Sequence, residues 1–104
     1  MKFMVRMWAL NPIPVSPQAL PALALKQLAY WDRLQAEGKV IFTAPFIGQR
    51  ARVAIYEVES TDELFDLLNA DPLFGVMDRE VIALGDNEKL RALYQQRHDA
   101  ATSS

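Results

Sequence analysis

The run from Pro72 to Leu84, PLFGVMDREVIAL, constrains this chain more than any other stretch. Proline disfavours helical geometry in the residue before it, so a helix arriving from upstream must stop by Asp71. Gly75 permits a turn, and from Met77 the residues alternate in the manner of a strand. One segment therefore docks an apolar corner, Leu73 and Phe74, and launches a closing strand.

The upstream chain supplies the elements that such a strand closes. Lys2 to Trp8 alternates, with Phe3, Val5 and Met7 on one face and Met4, Arg6 and Trp8 on the other. Both faces are largely apolar, which predicts a central strand covered on both sides. Asn11-Pro12-Ile13-Pro14 reads as a loop. Ser16-Pro17 is a helix start, but Pro21 means that either the first turn is kinked or the regular helix begins at Pro21. The helix then runs to Glu37, where Gly38 stops it. Spacing at 100° puts Leu20, Leu23, Ala24, Leu28, Trp31 and Leu34 on its apolar face, with Gln27 projecting from the middle of that face.

Val40 to Ile47 and Ala51 to Glu59 are strand-like, and Gly48-Gln49 between them suits a two-residue type II′ turn. That register sets Phe42 opposite Ile55 and Val40 opposite Glu57. It predicts that Val40, Phe42, Ala44, Phe46, Val53 and Ile55 meet the helices. The other face then carries Ile41, Thr43, Pro45, Ile47, Arg52, Ala54, Tyr56 and Val58, too apolar to be left in water. Pro45 marks its strand as an edge. Ser60 to Glu63 holds a capping box for a helix burying Leu64, Phe65, Leu67 and Leu68. After Gly85, Asp86 caps a last helix, and Ala100 to Ser104 reads as a frayed tail.

The order is βαββαβ plus a terminal helix. It predicts an α+β, ferredoxin-like domain over residues 1–85 with a four-stranded antiparallel sheet, followed by a C-terminal helix and tail over 86–104. Pro72-Leu73-Phe74, Met77-Asp78 and Glu80-Val81 together resemble the closing segment of the muconolactone isomerase family. The resemblance covers about Met1 to Leu84 and implies a dimeric α+β barrel, in which paired sheets cover each other's open faces.

Composition narrows the function. At 104 residues with 51% hydrophobic content the chain can bury one core, and a domain this small gains from oligomerising. A net charge of −2 gives no footprint for nucleic acid or anionic membrane. No apolar run approaches the ~20 residues that span a bilayer. With no cysteine there is no thiolate nucleophile or thiolate metal site, which suits a reducing compartment. The expectation is a cytoplasmic homo-oligomer, without cofactor or metal, that binds a small molecule. His98, the single histidine, sits near the chain end and offers no metal pair and no triad.

Five side chains remain as candidate ligand contacts and one as a proton carrier. Arg6, mid-strand, needs either a carboxylate such as Glu57, Glu59 or Glu80, or an anionic ligand. Gln27 needs a hydrogen-bond partner, either in the fold or in a ligand, and Trp31 lies one turn beyond it. Tyr56 could lend a hydroxyl. The resemblance implies a carboxylated lactone as substrate, isomerised by moving a proton from beside a carbonyl, and a basic residue at the place of Arg6. It also implies a glutamate at the place of Gln27 and a histidine at that of Met4, both absent here. Glu57, expected on the helix side, is left as the candidate catalytic acid. Three readings follow: an isomerase-like protein binding a small organic anion between sheet and helices, a non-catalytic binding or assembly module that has lost its base, and a cofactor-independent oxygenase.

Overall fold

In the computed structural model, which describes residues 1–103, the elements follow the expected order. They are β1 (Lys2–Ala9), α1 (Leu20–Ala36), β2 (Val40–Pro45), β3 (Ala51–Glu57), α2 (Thr61–Asn69), β4 (Met77–Leu84) and α3 (Asn87–Thr102). The sheet is ordered β2-β3-β1-β4, and every adjacent pair is antiparallel. β1 is central, and the Pro45 strand is an edge, as its missing N–H requires. The terminal helix runs through Thr102, beyond the Ala100 expected to begin the tail; Ser104 lies outside the described residues.

Local chemistry explains most element ends. α1 starts at Leu20 with Pro21 in its first turn, where no amide donor is needed, and Ser16 caps only a preceding turn through Ala19. It stops in a Schellman arrangement. The Lys39 N–H donates to Leu34 O (2.8 Å) and the Gly38 N–H to Gln35 O (3.1 Å), with Gly38 at φ +75°. The Ser60 hydroxyl accepts from the Glu63 N–H at 3.1 Å, and the Asp86 carboxylate accepts from the Glu88 N–H.

Apart from Val40, which lies beneath the helices as expected, the two faces of the β2–β3 hairpin are exchanged relative to expectation. Phe42 does oppose Ile55, but Ile41 forms an irregularity that brings Val40 opposite Tyr56 rather than Glu57. The turn also differs: Gly48, at φ +79°, is the third residue of a turn closed by the Gln49 N–H on Phe46 O. Val40, Arg52, Ala54, Tyr56 and Val58 join Phe3, Val5 and Met7 beneath the helices, whereas Phe42, Val53 and Ile55 share the opposite face with Met4, Arg6 and Trp8. Alternation alone could not decide this, because both faces are apolar. The physical discriminator is the central strand, whose fully buried Val5 and Met7 stand opposite Ala54 and Arg52.

Two helical residues also depart from expectation. Leu28 is 47% exposed and Phe65 65%, while Tyr30 turns inward and donates its hydroxyl to Leu67 O at 2.7 Å, linking α1 to α2. α3 buries no residue, and the molecule extends 66 Å along its longest axis. Its radius of gyration is 18.1 Å, against the ~13 Å of a compact chain of this length. Among the described residues, no helix is long and apolar enough to cross a membrane.

The inward and outward faces of α1 differ in cost. Leu34→Ala, at a position 1% exposed, should lower unfolding free energy by ~2–5 kcal/mol. Leu28→Ala should cost about 1 kcal/mol or less, since half its surface is already in water. Denaturant titration of both variants checks this, and equal losses would mean that α1 is rotated from the orientation described.

Candidate functional site

The polar residue expected in the middle of the apolar face of α1 is the hub of the site. Gln27 is fully buried. Its Nε2 donates to both carboxylate oxygens of Asp71, at 2.9 and 2.8 Å, and its Oε1 accepts from Arg52 Nη1 at 2.6 Å. Nε2 also lies 3.5 Å from Met7 Sδ. Both ends of one amide are thus committed, to an acceptor on one side and a cation on the other.

Each partner is placed by its local sequence. Pro72 ends the run after α2, and Asp71 folds its carboxylate back so that Oδ1 accepts from the Leu73 N–H at 2.8 Å, the geometry of an Asx turn. Arg52 projects beneath α1 because it shares the face of Ala54 and Tyr56, directly opposite Met7. Arg79, the other strand neighbour of Met7, stacks its guanidinium 4.5 Å from the Phe74 ring centre and donates to Phe74 O. The Nε atoms of both Arg52 and Arg79 are buried without a hydrogen-bond partner. An unpaired buried donor costs ~1–3 kcal/mol, so each is an unmet demand for an acceptor.

Burial pushes the Asp71 carboxyl above the usual aspartate range, against the opposing pull of the Leu73 amide, Gln27, Arg79 and Arg52. Arg52 is lowered from its ordinary value, again chiefly by desolvation. Tyr56 accepts a hydrogen bond from Trp31 Nε1 at 3.1 Å and is raised by burial, so it stays a neutral phenol. Tyr30 is raised by burial and by the nearby Asp71 charge.

A cleft of ≈370 Å³ opens beside this cluster, between the start of α1, the end of β1 and the Leu73–Met77 segment. Ile13, Leu20, Pro21, Leu73 and Val76 make its walls apolar, and Arg50 and Arg52 are the charged residues on it. A smaller cavity of ≈160 Å³ lies between Leu28, Trp31, Thr43 and Arg52, so Arg52 borders both spaces. Among the described residues, no carboxylate lines either one. Among the described residues, no group of three or more His, Cys, Asp or Glu side chains is placed to hold a metal ion.

Of the sequence candidates, Gln27, Trp31 and Tyr56 are brought together under α1. Met4 and Arg6 are not: even positions of β1 point to the open sheet face, where Arg6 stands opposite Glu80 and Val53. Glu57 is also displaced from its expected place. It pairs with Lys2, lies 3.7 Å from the N-terminal ammonium, and sits five residues along β3 from Arg52, ~17 Å away. Sequence reasoning passed over Arg52 and Asp71. The available signal was a pair of misfits, a cation in an apolar strand and an amide in an apolar helix face.

This architecture has relatives. The family model described as muconolactone delta-isomerase matches residues 1–89. The chain belongs to the muconolactone delta-isomerase family. A muconolactone Delta-isomerase of Rhodococcus opacus is 35% identical over 82 residues, covering 79% of this chain and 88% of that protein. One from Acinetobacter baylyi is 33% identical over 84 residues, with 81% and 88% covered. The crystal structure of a muconolactone isomerase superposes with a TM-score of 0.74 at 31% identity, over 83% of this chain and 90% of that one. A 5-chloro-2-hydroxyhydroquinone dehydrochlorinase of Burkholderia phenoliruptrix, 24% identical over 82% and 94% of the two chains with a TM-score of 0.65, shares the fold. The muconolactone delta-isomerase family thus has the α+β fold class that the sequence leads one to expect.

The raised carboxyl gives a signed prediction. A group whose folded pKa lies above its unfolded value favours the folded state most at low pH, and that contribution is lost as pH rises through the folded pKa. Asp71 should therefore make native stability fall with rising pH in the window that starts near 3.8 and ends at its raised folded value. Unfolding free energies of native protein and Asp71→Asn, measured from pH 3.5 to 7, should differ in slope with this sign. Identical slopes would refute the assignment.

Proposed function

We propose that this protein is a muconolactone isomerase-like protein that binds a small carboxylated lactone, or a closely related organic anion, in the cleft beneath α1. One observation carries the reading: Arg52, a desolvated guanidinium with an unpaired N–H, borders an apolar cleft that no carboxylate lines. Such a wall suits a ligand with one anionic end and an apolar ring. The relatives' names supply the chemical class, a lactone, and the reaction type, a Delta-isomerisation. Arg50, exposed at the cleft mouth, adds positive potential for entry. Work in the cytoplasm, suited to a chain without cysteine, belongs to the same reading.

A second reading, a binder that does not turn its ligand over, is favoured by Gln27. An amide cannot take a proton as a general base, and Glu57 lies too far along β3 to serve. Assembly belongs with either reading. Phe42, Trp8 and Leu84 are 50%, 38% and 39% exposed on the open sheet face, an apolar patch that pairing with a second copy would cover.

Calorimetric titration with muconolactone, alongside an isomerisation assay, tests the reading. Arg52→Met should weaken binding roughly 10–100-fold, as loss of a charged hydrogen bond would. Arg6→Met should leave it unchanged. Native protein that fails to bind muconolactone, or that loses it only with Arg6→Met, overturns the reading; binding without turnover selects the non-catalytic form. Phe42→Asp should convert the assembly to monomers in equilibrium sedimentation, and a native monomer at micromolar concentration would exclude the pairing.

A further inference from the structure

We propose that Asp71 is a positioning residue for ligand binding: acting through Gln27, it holds the Arg52 guanidinium in the orientation that receives the ligand's carboxylate. The inference rests on the binding reading above and adds to it a residue that does not line the cleft.

The argument is one of donors and acceptors. An amide side chain has two nearly identical ends, and a buried one can flip unless its neighbours forbid it. Ionised Asp71 offers acceptors only, so Gln27 must present its NH₂ to it, at 2.8 and 2.9 Å. The carbonyl end then has one direction left, toward Arg52 Nη1 at 2.6 Å. The Asx turn with Leu73 fixes the carboxylate in place, so the order of command runs from turn to carboxylate to amide to guanidinium. Arg52 has two cavities within reach, one on each side, and no carboxylate touching it directly. Without Gln27 Oε1, nothing in the hydrogen-bond pattern selects one side over the other.

The same counting says which substitutions break the relay. An asparagine at 71 brings its own NH₂ toward the Gln27 NH₂. Gln27 then either faces a donor at that end or flips and faces the donors of Arg52. Gln27→Glu with Asp71 retained sets two carboxylates side by side, and one must take up a proton. The double exchange Gln27→Glu with Asp71→Asn conserves charge and keeps a donor opposite an acceptor at each step of the relay, losing only the weak contact to Met7 Sδ and one of the two amide–carboxylate contacts. The new amide donates to the new carboxylate and accepts from the Leu73 N–H, and the carboxylate accepts from Arg52.

The groups facing Asp71 are Gln27 and Tyr30 from α1, Arg52 and Tyr56 from β3, and Arg79 from β4. Within the range where Asp71 titrates, the arginines stay charged and the phenols stay neutral. Only Asp71 changes state there, and its protonation adds a donor where the amide needs an acceptor.

The test uses muconolactone as the titrant and the Arg52 Nε–H resonance in ligand-free protein as a second readout. In native protein that resonance should shift with a midpoint above 3.8, the shift should be absent in Asp71→Asn, and muconolactone affinity should fall about 10-fold or more in that variant. The double exchange should recover most of the affinity and lose the pH-dependent shift. A role in stability alone would lower the melting temperature without moving the resonance. The proposal is overturned if Asp71→Asn binds as native does, if the Arg52 resonance ignores pH, or if the folded double exchange binds no better than Asp71→Asn. Should Asp71→Asn not fold, the native resonance and the double exchange decide alone. Native protein that fails to bind muconolactone removes the functional reading together with this one, whereas native binding lost in Arg52→Met but unaffected in Asp71→Asn removes only this one.

Discussion

A single buried amide governs the interior of this protein. Gln27 lies in the seam between α1 and the sheet, and a polar group there must find partners or cost several kcal/mol. It finds them in the segment after α2 and in β3, so three stretches separated by tens of residues converge on one side chain. Apolar contacts give the domain its core, but they are non-directional. The amide contributes direction: α1 must present residue 27 toward the sheet, and β3 must turn residue 52 toward the helix.

That constraint has a counterpart on the other side of the sheet. With odd-numbered β1 residues committed inward, Met4, Arg6 and Trp8 are left facing out, together with Phe42, Val53 and Ile55. The chain is thus built with two apolar sheet faces and helices for only one. Arg6 and Glu80, opposite each other on the open face, set a charged pair of positions within the apolar patch. The division of labour is clear in the geometry: Arg50 and Arg52 border the cleft, and Arg6 does not.

Much of the fold was legible because it is written locally. The Schellman stop at Gly38, the Ser60 and Asp86 caps, the edge position of the Pro45 strand and the break before Pro72 each depend on a few adjacent residues. What local sequence could not carry was the choice between two apolar hairpin faces, or the irregularity at Ile41 that keeps Val40 under the helices while Phe42 turns away from them. The site suffered in proportion. Trp31 was turned toward the sheet by the periodicity of α1, but Tyr56 was assigned to the open face and Glu57 to the helix side, each the reverse of what is found, and Asp71 was read only as the residue before a proline. Pairing the misfits Gln27 and Arg52 would have fixed the hairpin's facing and brought the cleft into view.

The hairpin carries a consequence for how this chain can vary. Strand side chains alternate strictly, so adding or removing one residue within β3 would send Arg52 to the far face and bring an apolar neighbour under α1. The loop of residues 47–49 bears no such burden, because its residues are exposed and it lies outside the strand pairing. Length changes should therefore accumulate in the loop and stop abruptly at Arg50. In the proposed reading, the parity of a strand is part of the binding chemistry.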